Sequence, residues 1–140
     1  MAEVSPLFAQ LHRWRTQDFE WGVCDCCLVL ADWLWQLRGQ DPAAHIRNLY
    51  DGPLSCERLT GFIRTPVAAI EACAETIGGL PRVDVPEPGD IGVLAIQGER
   101  YPFGALWTGT HWAGKGPGLS VTCLAPALVQ PLAVWGTGYA

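Results

Sequence analysis

The segment Trp21-Gly22-Val23-Cys24-Asp25-Cys26-Cys27 runs directly into the apolar stretch Leu28 to Leu37, and this junction constrains the fold more than any other feature of the chain. The stretch predicts a buried helix that ends at Gly39, because glycine is the residue type expected just past a helix C-terminus. Asp25 stands where a side chain can cap that helix by accepting from the free backbone N–H groups of its first turn. Cys26, directly behind the cap, is expected in the first turn, facing unpaired N–H groups and the positive end of the helix dipole. Both lower the pKa of a thiol. The N–H groups at Cys26 and Cys27 can also hold the oxyanion of a tetrahedral intermediate. Cys26 is therefore a candidate nucleophile. The alternative is that Cys26 and Cys27 are small apolar residues packed under the helix.

The chain has 140 residues, 49% of them hydrophobic, enough for one domain with its own core. Its charged fraction of 16% is low against the usual value of about 25%. Seven tryptophans are many for this length, and with the low charge they predict a surface partly covered by a partner. The net charge of −5, with no basic stripe, argues against nucleic acid as the ligand. The N-terminus has neither the basic start nor the apolar core of a secretory signal. The longest apolar stretch, Cys26 to Leu37, carries Asp32 and is too short to insert across a membrane. Six cysteines, three of them crowded into four positions, fit reduced thiols of a protein made in a cytoplasm better than a disulfide scaffold.

Local signals divide the chain into a helical part, about 5–79, and a sheet part, about 88–140. Ser5-Pro6 reads as an N-cap with proline at the first helical position, and Leu7, Phe8, Leu11 and Trp14 as the buried face. Asp41-Pro42 predicts a short helix holding His45, Ile46 and Tyr50. Leu54 to Ile63 is weakly helical, and Thr65-Pro66 opens a helix closed by Gly78-Gly79. The breakers Pro81, Pro86, Pro88 and Gly89 then form a linker, after which Asp90 reads as a strand-entry residue bonding local backbone. Ile91 to Ile96, Phe103 to Thr108, Thr110 to Ala113 and Leu119 to Cys123 are strand candidates. Ala125 to Trp135 is ambiguous, because Pro126 and Pro131 interrupt any long helix. Helices first and an antiparallel sheet afterwards define an α+β class.

Three histidines could serve a nucleophile as base. His12 lies beside Arg13 and Arg15 on the polar side of the first helix, and His45 beside Arg47. His111 follows the Gly109 turn, where it either begins a strand facing the site or sits at a sheet edge. A further alternative makes Cys24, Cys26 and Cys27 metal ligands, completed by Cys56, Cys73 or a histidine, although Cys-x-Cys-Cys matches the usual ligand spacings poorly.

Trp21-Gly22, Asp25-Cys26 opening a helix and Pro88-Gly89-Asp90-Ile91 opening a strand resemble the NlpC-type branch of the papain-like fold. The likeness is closer to a phage-associated offshoot of that family, found among tail genes of long-tailed phages and prophages. Its Trp-Gly-x-x-Asp-Cys opening, the segment Gly39-Gln40-Asp41-Pro42-Ala43, the following Arg47 and Tyr50, the turn Gly116-Pro117-Gly118-Leu119 and the late Trp135 carry the resemblance from about Pro6 to Trp135. It implies a papain-like α+β domain with N-terminal helices packed on a small C-terminal sheet. It also implies a cysteine peptidase of cell-wall peptides at the phage tail tip, with Cys26 as nucleophile and no cofactor. The implied partners are tail-hub and tail-tip proteins and peptidoglycan, and the implied location is the virion tail. Active relatives place the base histidine at the start of the second strand, where this chain has Phe103. His111 would have to reach the thiol from the next strand. The rival implication is a structural adaptor of the tail tip that keeps the fold without the chemistry.

Overall fold

The computed structural model describes residues 5–140; the first four, on which part of the signal-peptide expectation falls, lie outside the described residues. Four helices precede the sheet: α1 (Pro6–Arg15), α2 (Leu28–Arg38), α3 (Pro53–Thr60) and α4 (Pro66–Glu75). Five strands follow: β1 (Ile91–Ile96), β2 (Phe103–Trp107), β3 (Trp112–Lys115), β4 (Val121–Leu124) and β5 (Val129–Trp135). They form one antiparallel sheet in the order β4-β3-β2-β1-β5, so the last strand returns to pair with the first. The α+β class expected from the order of local signals is the class observed.

Alternation along the strands sends side chains to two faces. Ile91, Val93, Leu106, Ala133 and Trp135 join Leu28, Val29, Leu30, Trp33 and Leu34 of α2 in the main core. Leu94, Ala105, Trp112 and Val134 make a smaller core on the opposite face, with the Trp107 and Trp112 rings 5.2 Å apart. α2 is apolar nearly all round, and such a helix is stable only when covered on most sides. Pro42 and Ala43, with Ile70 and Cys73 of α4, lie along one flank, and β2 lies along the other.

Two differences from expectation have local causes. Ser5 caps α1, its hydroxyl accepting from the Phe8 N–H, but the face of α1 that is buried carries Leu7, Gln10 and Trp14, and Phe8 is 57% exposed. Residues 42–48 form successive turns rather than a helix. There the Asp41 carboxylate takes the Ala43 N–H at 3.0 Å, competing with helix formation, and Asn48 adopts a left-handed φ of 62°. The ambiguous tail resolves into a 3₁₀ turn at Pro126–Leu128 and then β5, an edge strand that tolerates Pro131. Trp14, Trp33, Trp112 and Trp135 are core residues, so most of the tryptophan content answers to internal packing rather than to a covered surface.

Lys115 joins the two halves. It is 2% exposed, and its ammonium donates to the carbonyls of Trp14 (2.5 Å), Gln17 and Gly118 (2.8 Å). The carbonyls at the end of α1 have no partners within the helix, and a cation there is favoured by the helix dipole. Lys115→Met should keep the apolar stem but strand these carbonyls, lowering unfolding free energy by about 2 kcal/mol. Urea denaturation of both proteins measures it.

Candidate functional site

Asp25 is fully buried, and both of its carboxylate oxygens are saturated. Oδ1 accepts from the N–H groups of Cys27 (3.0 Å) and Leu28 (2.9 Å). Oδ2 accepts from the Gly22 N–H at 2.9 Å and the Tyr50 hydroxyl at 2.6 Å. Its own carbonyl accepts from the Val29 N–H at 3.1 Å, the first helical bond of α2. Asp25 is therefore the helix cap that the sequence predicts. The helix proper begins at Leu28, which leaves Cys26 in the turn just before it rather than in the first helical turn.

The other motif residues hold this cap in place. Gly22 has φ 83°, and a side chain there would collide with the Tyr50 carbonyl, so only glycine permits the approach. Its carbonyl accepts from the Asn48 N–H at 2.8 Å, tying the 42–48 turns beneath the cap. Arg47 donates to Asp41 at 2.6 Å, pairs with Asp32 of α2 at 2.9 Å, and lies over the Trp35 ring. Burial pushes the Asp32 carboxyl up, against the pull of Arg47. Gly39 ends α2 in the left-handed conformation at φ 72°. Asp90, expected to bond local backbone at the strand entry, takes the N–H groups of Glu87 (2.8 Å) and the distant Thr137 (3.0 Å).

Cys26 touches β2 directly. Its carbonyl accepts from the Gly104 N–H at 3.1 Å, and any side chain at Gly104 would collide with that carbonyl. The residue before Gly104 is Phe103, whose ring, with Cys26, Trp21, Phe19, Tyr101 and Lys115, lines a cleft of about 440 Å³. Gly114 makes room for the ring: a Cβ there would stand 2.7 Å from it. Trp21 packs edge-on to both Phe19 and Tyr101. Much of the wall is aromatic, and the Lys115 ammonium, whose residue also lines the cleft, is committed to three carbonyls.

The thiol does not have the character expected of a nucleophile. Burial pushes the Cys26 thiol well above its ordinary pKa, with the Asp25 charge adding to the rise. Desolvation outweighs the helix dipole here because Cys26 is only 8% exposed and its nearest full charge is negative. Of the two expected oxyanion donors, the Cys27 N–H is committed to Asp25, as is that of Leu28, which leaves the Cys26 N–H. Burial likewise raises Cys27, and Cys24 is pushed up to about 11 by burial and Asp32.

Nor does the fold bring a histidine to the thiol. His111 is exposed on the β2–β3 turn, its Nδ1 within 2.8 Å of the Thr110 hydroxyl and its N–H on Thr108. Thr108 lies four residues along the strand from Gly104, the contact with Cys26, a separation of about 13 Å. His12 and His45 are exposed on the helical part, and neither lines the cleft. The metal alternative at Cys24, Cys26 and Cys27 is not met: among the described residues, no three His, Cys, Asp or Glu side chains converge as a ligand set. The three thiols diverge because Cys24 pairs with Glu20 in a bridge, Cys26 faces the cleft, and Cys27 faces α4.

Residues 4–131 match the family described as Domain of unknown function (DUF6950). The chain belongs to this family. The match spans both the Asp25 cap and the strand that meets it, so cap and cleft belong to the family's domain rather than to an appended segment. No curated protein and no solved structure matches the chain.

Asp25→Ala should destabilise the protein by about 3 kcal/mol or more, because four buried donors lose their acceptor at once; the urea midpoint reads it. A pH dependence follows from the thiols. Their pKa is raised on folding, so the unfolded chain loses protons first as pH rises above the ordinary value of 9.0. Stability is then fully present below pH 9 and falls above it, by up to about 1.4 kcal/mol per pH unit for each buried thiol. Unfolding measured across this range under reducing conditions should show that slope, and Cys26→Ala should make it shallower.

Proposed function

We propose that this chain is a papain-like, NlpC-type domain without peptidase activity, and that it acts as a structural adaptor in the tail tip of a phage or prophage virion. The observation that carries the loss of activity is the strand that meets Cys26: Gly104 bonds its carbonyl, and the adjoining position, where a base would have to stand, holds Phe103, which lines the same cleft. A protonated, buried thiol with no imidazole beside it cannot supply the thiolate that attacks an amide carbonyl. The fold reading is supported by a cysteine at the start of a buried helix docked against the second strand of an antiparallel sheet.

The tail-tip setting is supported by the resemblance in Trp21-Gly22, Asp25-Cys26, Gly39 to Ala43, Arg47 and Tyr50. These residues also hold the structure together. Gly22 and Tyr50 bond Asp25, Arg47 bonds Asp41 and Asp32, and Gly39 closes α2. Their retention thus requires no catalysis. The motif builds a scaffold.

Alkylation and turnover test the proposal together. With iodoacetamide at neutral pH, exposed Cys123 should react at least about a hundredfold faster than Cys26, and peptidoglycan should not be cleaved. Phe103→His places an imidazole beside the thiol and should raise Cys26 labelling at least about tenfold. Prompt labelling of Cys26 in the unaltered protein, with peptidoglycan cleavage abolished by Cys26→Ala, would establish the peptidase instead.

A further inference from the structure

The two edges of the sheet are finished differently. β5 carries Pro131 and a register shift opposite Val93 and Leu94, and its far end pairs with the linker through Arg82 and Trp135. The linker adds bonds from the Val83 N–H to the Val134 carbonyl and from the Gly136 N–H to the Pro81 carbonyl. Proline, bulges and covering segments are the devices that protect a strand edge from pairing with another chain. β4, at the opposite edge, has among the described residues no proline, no register shift and no segment paired to its outer side. Its sequence, Val121-Thr122-Cys123-Leu124, is uncharged and β-favouring, and its only strand partner among the described residues is β3.

The surroundings of β4 have a definite chemistry. Val121 and Cys123 face a groove of about 670 Å³ whose other wall is α1, with Phe8, Leu11, His12 and Arg15. Phe8 and Leu119 lie more than half exposed at its rim. α1 contains no acidic residue and ends in His12, Arg13 and Arg15, in a chain whose net charge is −5. Among the described residues, no carboxylate lines the groove. The alternate residues Thr122 and Leu124 face the Cys26 cleft, so a strand laid against β4 would present one row of side chains to each side.

We propose that the outer edge of β4, walled by α1, accepts an added β-strand: an extended segment of a partner protein that alternates apolar and acidic side chains. Main-chain bonds to the unpaired edge supply affinity, the apolar groove takes alternate side chains, and Arg15 with His12 selects the acidic ones. The assignment of a partner rests on the adaptor reading, but the edge chemistry is independent of Cys26. A reactive Cys26 would overturn that reading and leave this test unaffected.

The test is amide hydrogen exchange, followed by NMR on the full chain, with a short soluble peptide alternating Glu and Val and its counterpart with Lys in place of Glu. The acidic peptide should slow exchange at Val121 to Leu124 at least about tenfold, and the lysine peptide should not. Arg15 is exposed, so Arg15→Glu should fold normally; it should weaken the acidic peptide at least about fivefold and improve the lysine one. Equal effects of the two peptides, no protection at β4 from either, or indifference to Arg15→Glu would overturn the proposal. Protection of β4 that grows with protein concentration without peptide would also overturn it, by assigning the edge to a second copy of the chain.

Discussion

The Asp25 carboxylate is the group on which the rest of this structure hangs. It lies in the interior with no cation bonded to it, stabilised by two helix N–H groups, one loop N–H and one phenol. A buried charge costs free energy unless hydrogen bonds replace its water, and four short donors do that here. The donors come from three pieces of chain: the Trp-Gly turn, the adjacent Cys27 and Leu28 where α2 starts, and Tyr50 beyond the 42–48 turns. Satisfying Asp25 therefore brings the segments around α2 to a common point. The Arg47 pairs with Asp41 and Asp32 brace the same turns from outside.

The same arrangement shapes the chemistry of Cys26. The capping carboxylate withdraws the Cys27 and Leu28 N–H groups from any thiolate or oxyanion, and its own charge opposes thiolate formation. β2 then meets the site, since Gly104 bonds the Cys26 carbonyl and the adjoining Phe103 lines the cleft that Cys26 faces. Cap, burial and aromatic neighbour all favour the neutral thiol. A cysteine at this place in a helix has activity only if something else supplies a compensating cation, and Lys115, which lines the same cleft, is committed to closing α1.

Outside the site, the two faces and two edges of the sheet divide the remaining work. The helix face forms the main core, and the opposite face closes over Trp112 in a smaller one. The β5 edge is finished internally by the linker, whereas the β4 edge is left with an apolar and cationic border. In a chain of net charge −5, His12 and Arg15 of α1 stand beside the sheet edge that, among the described residues, has no proline, register shift or paired segment.

Much of this is legible in the amino-acid order alone. The Asp25 cap, Gly39 at the end of α2, Ser5-Pro6 opening α1, and the β1 to β4 candidates depend on interactions within a turn or on side-chain alternation, which a sequence displays directly. The placement of Tyr50 and Arg47 could have been suspected from their polarity inside an otherwise apolar context, but their convergence around Asp25 and Asp32 could not. The tertiary structure alone decided what Cys26 is. Its protonation depends on how much water reaches it and which groups face it, and those come from β2, beyond the linker. Short-range order in the chain dictates a capped helix, with a cysteine just before it, within an α+β arrangement. Folding brings the Phe103–Gly104 end of β2 to that cysteine, whereas His111 is carried on the turn at the far end of the strand.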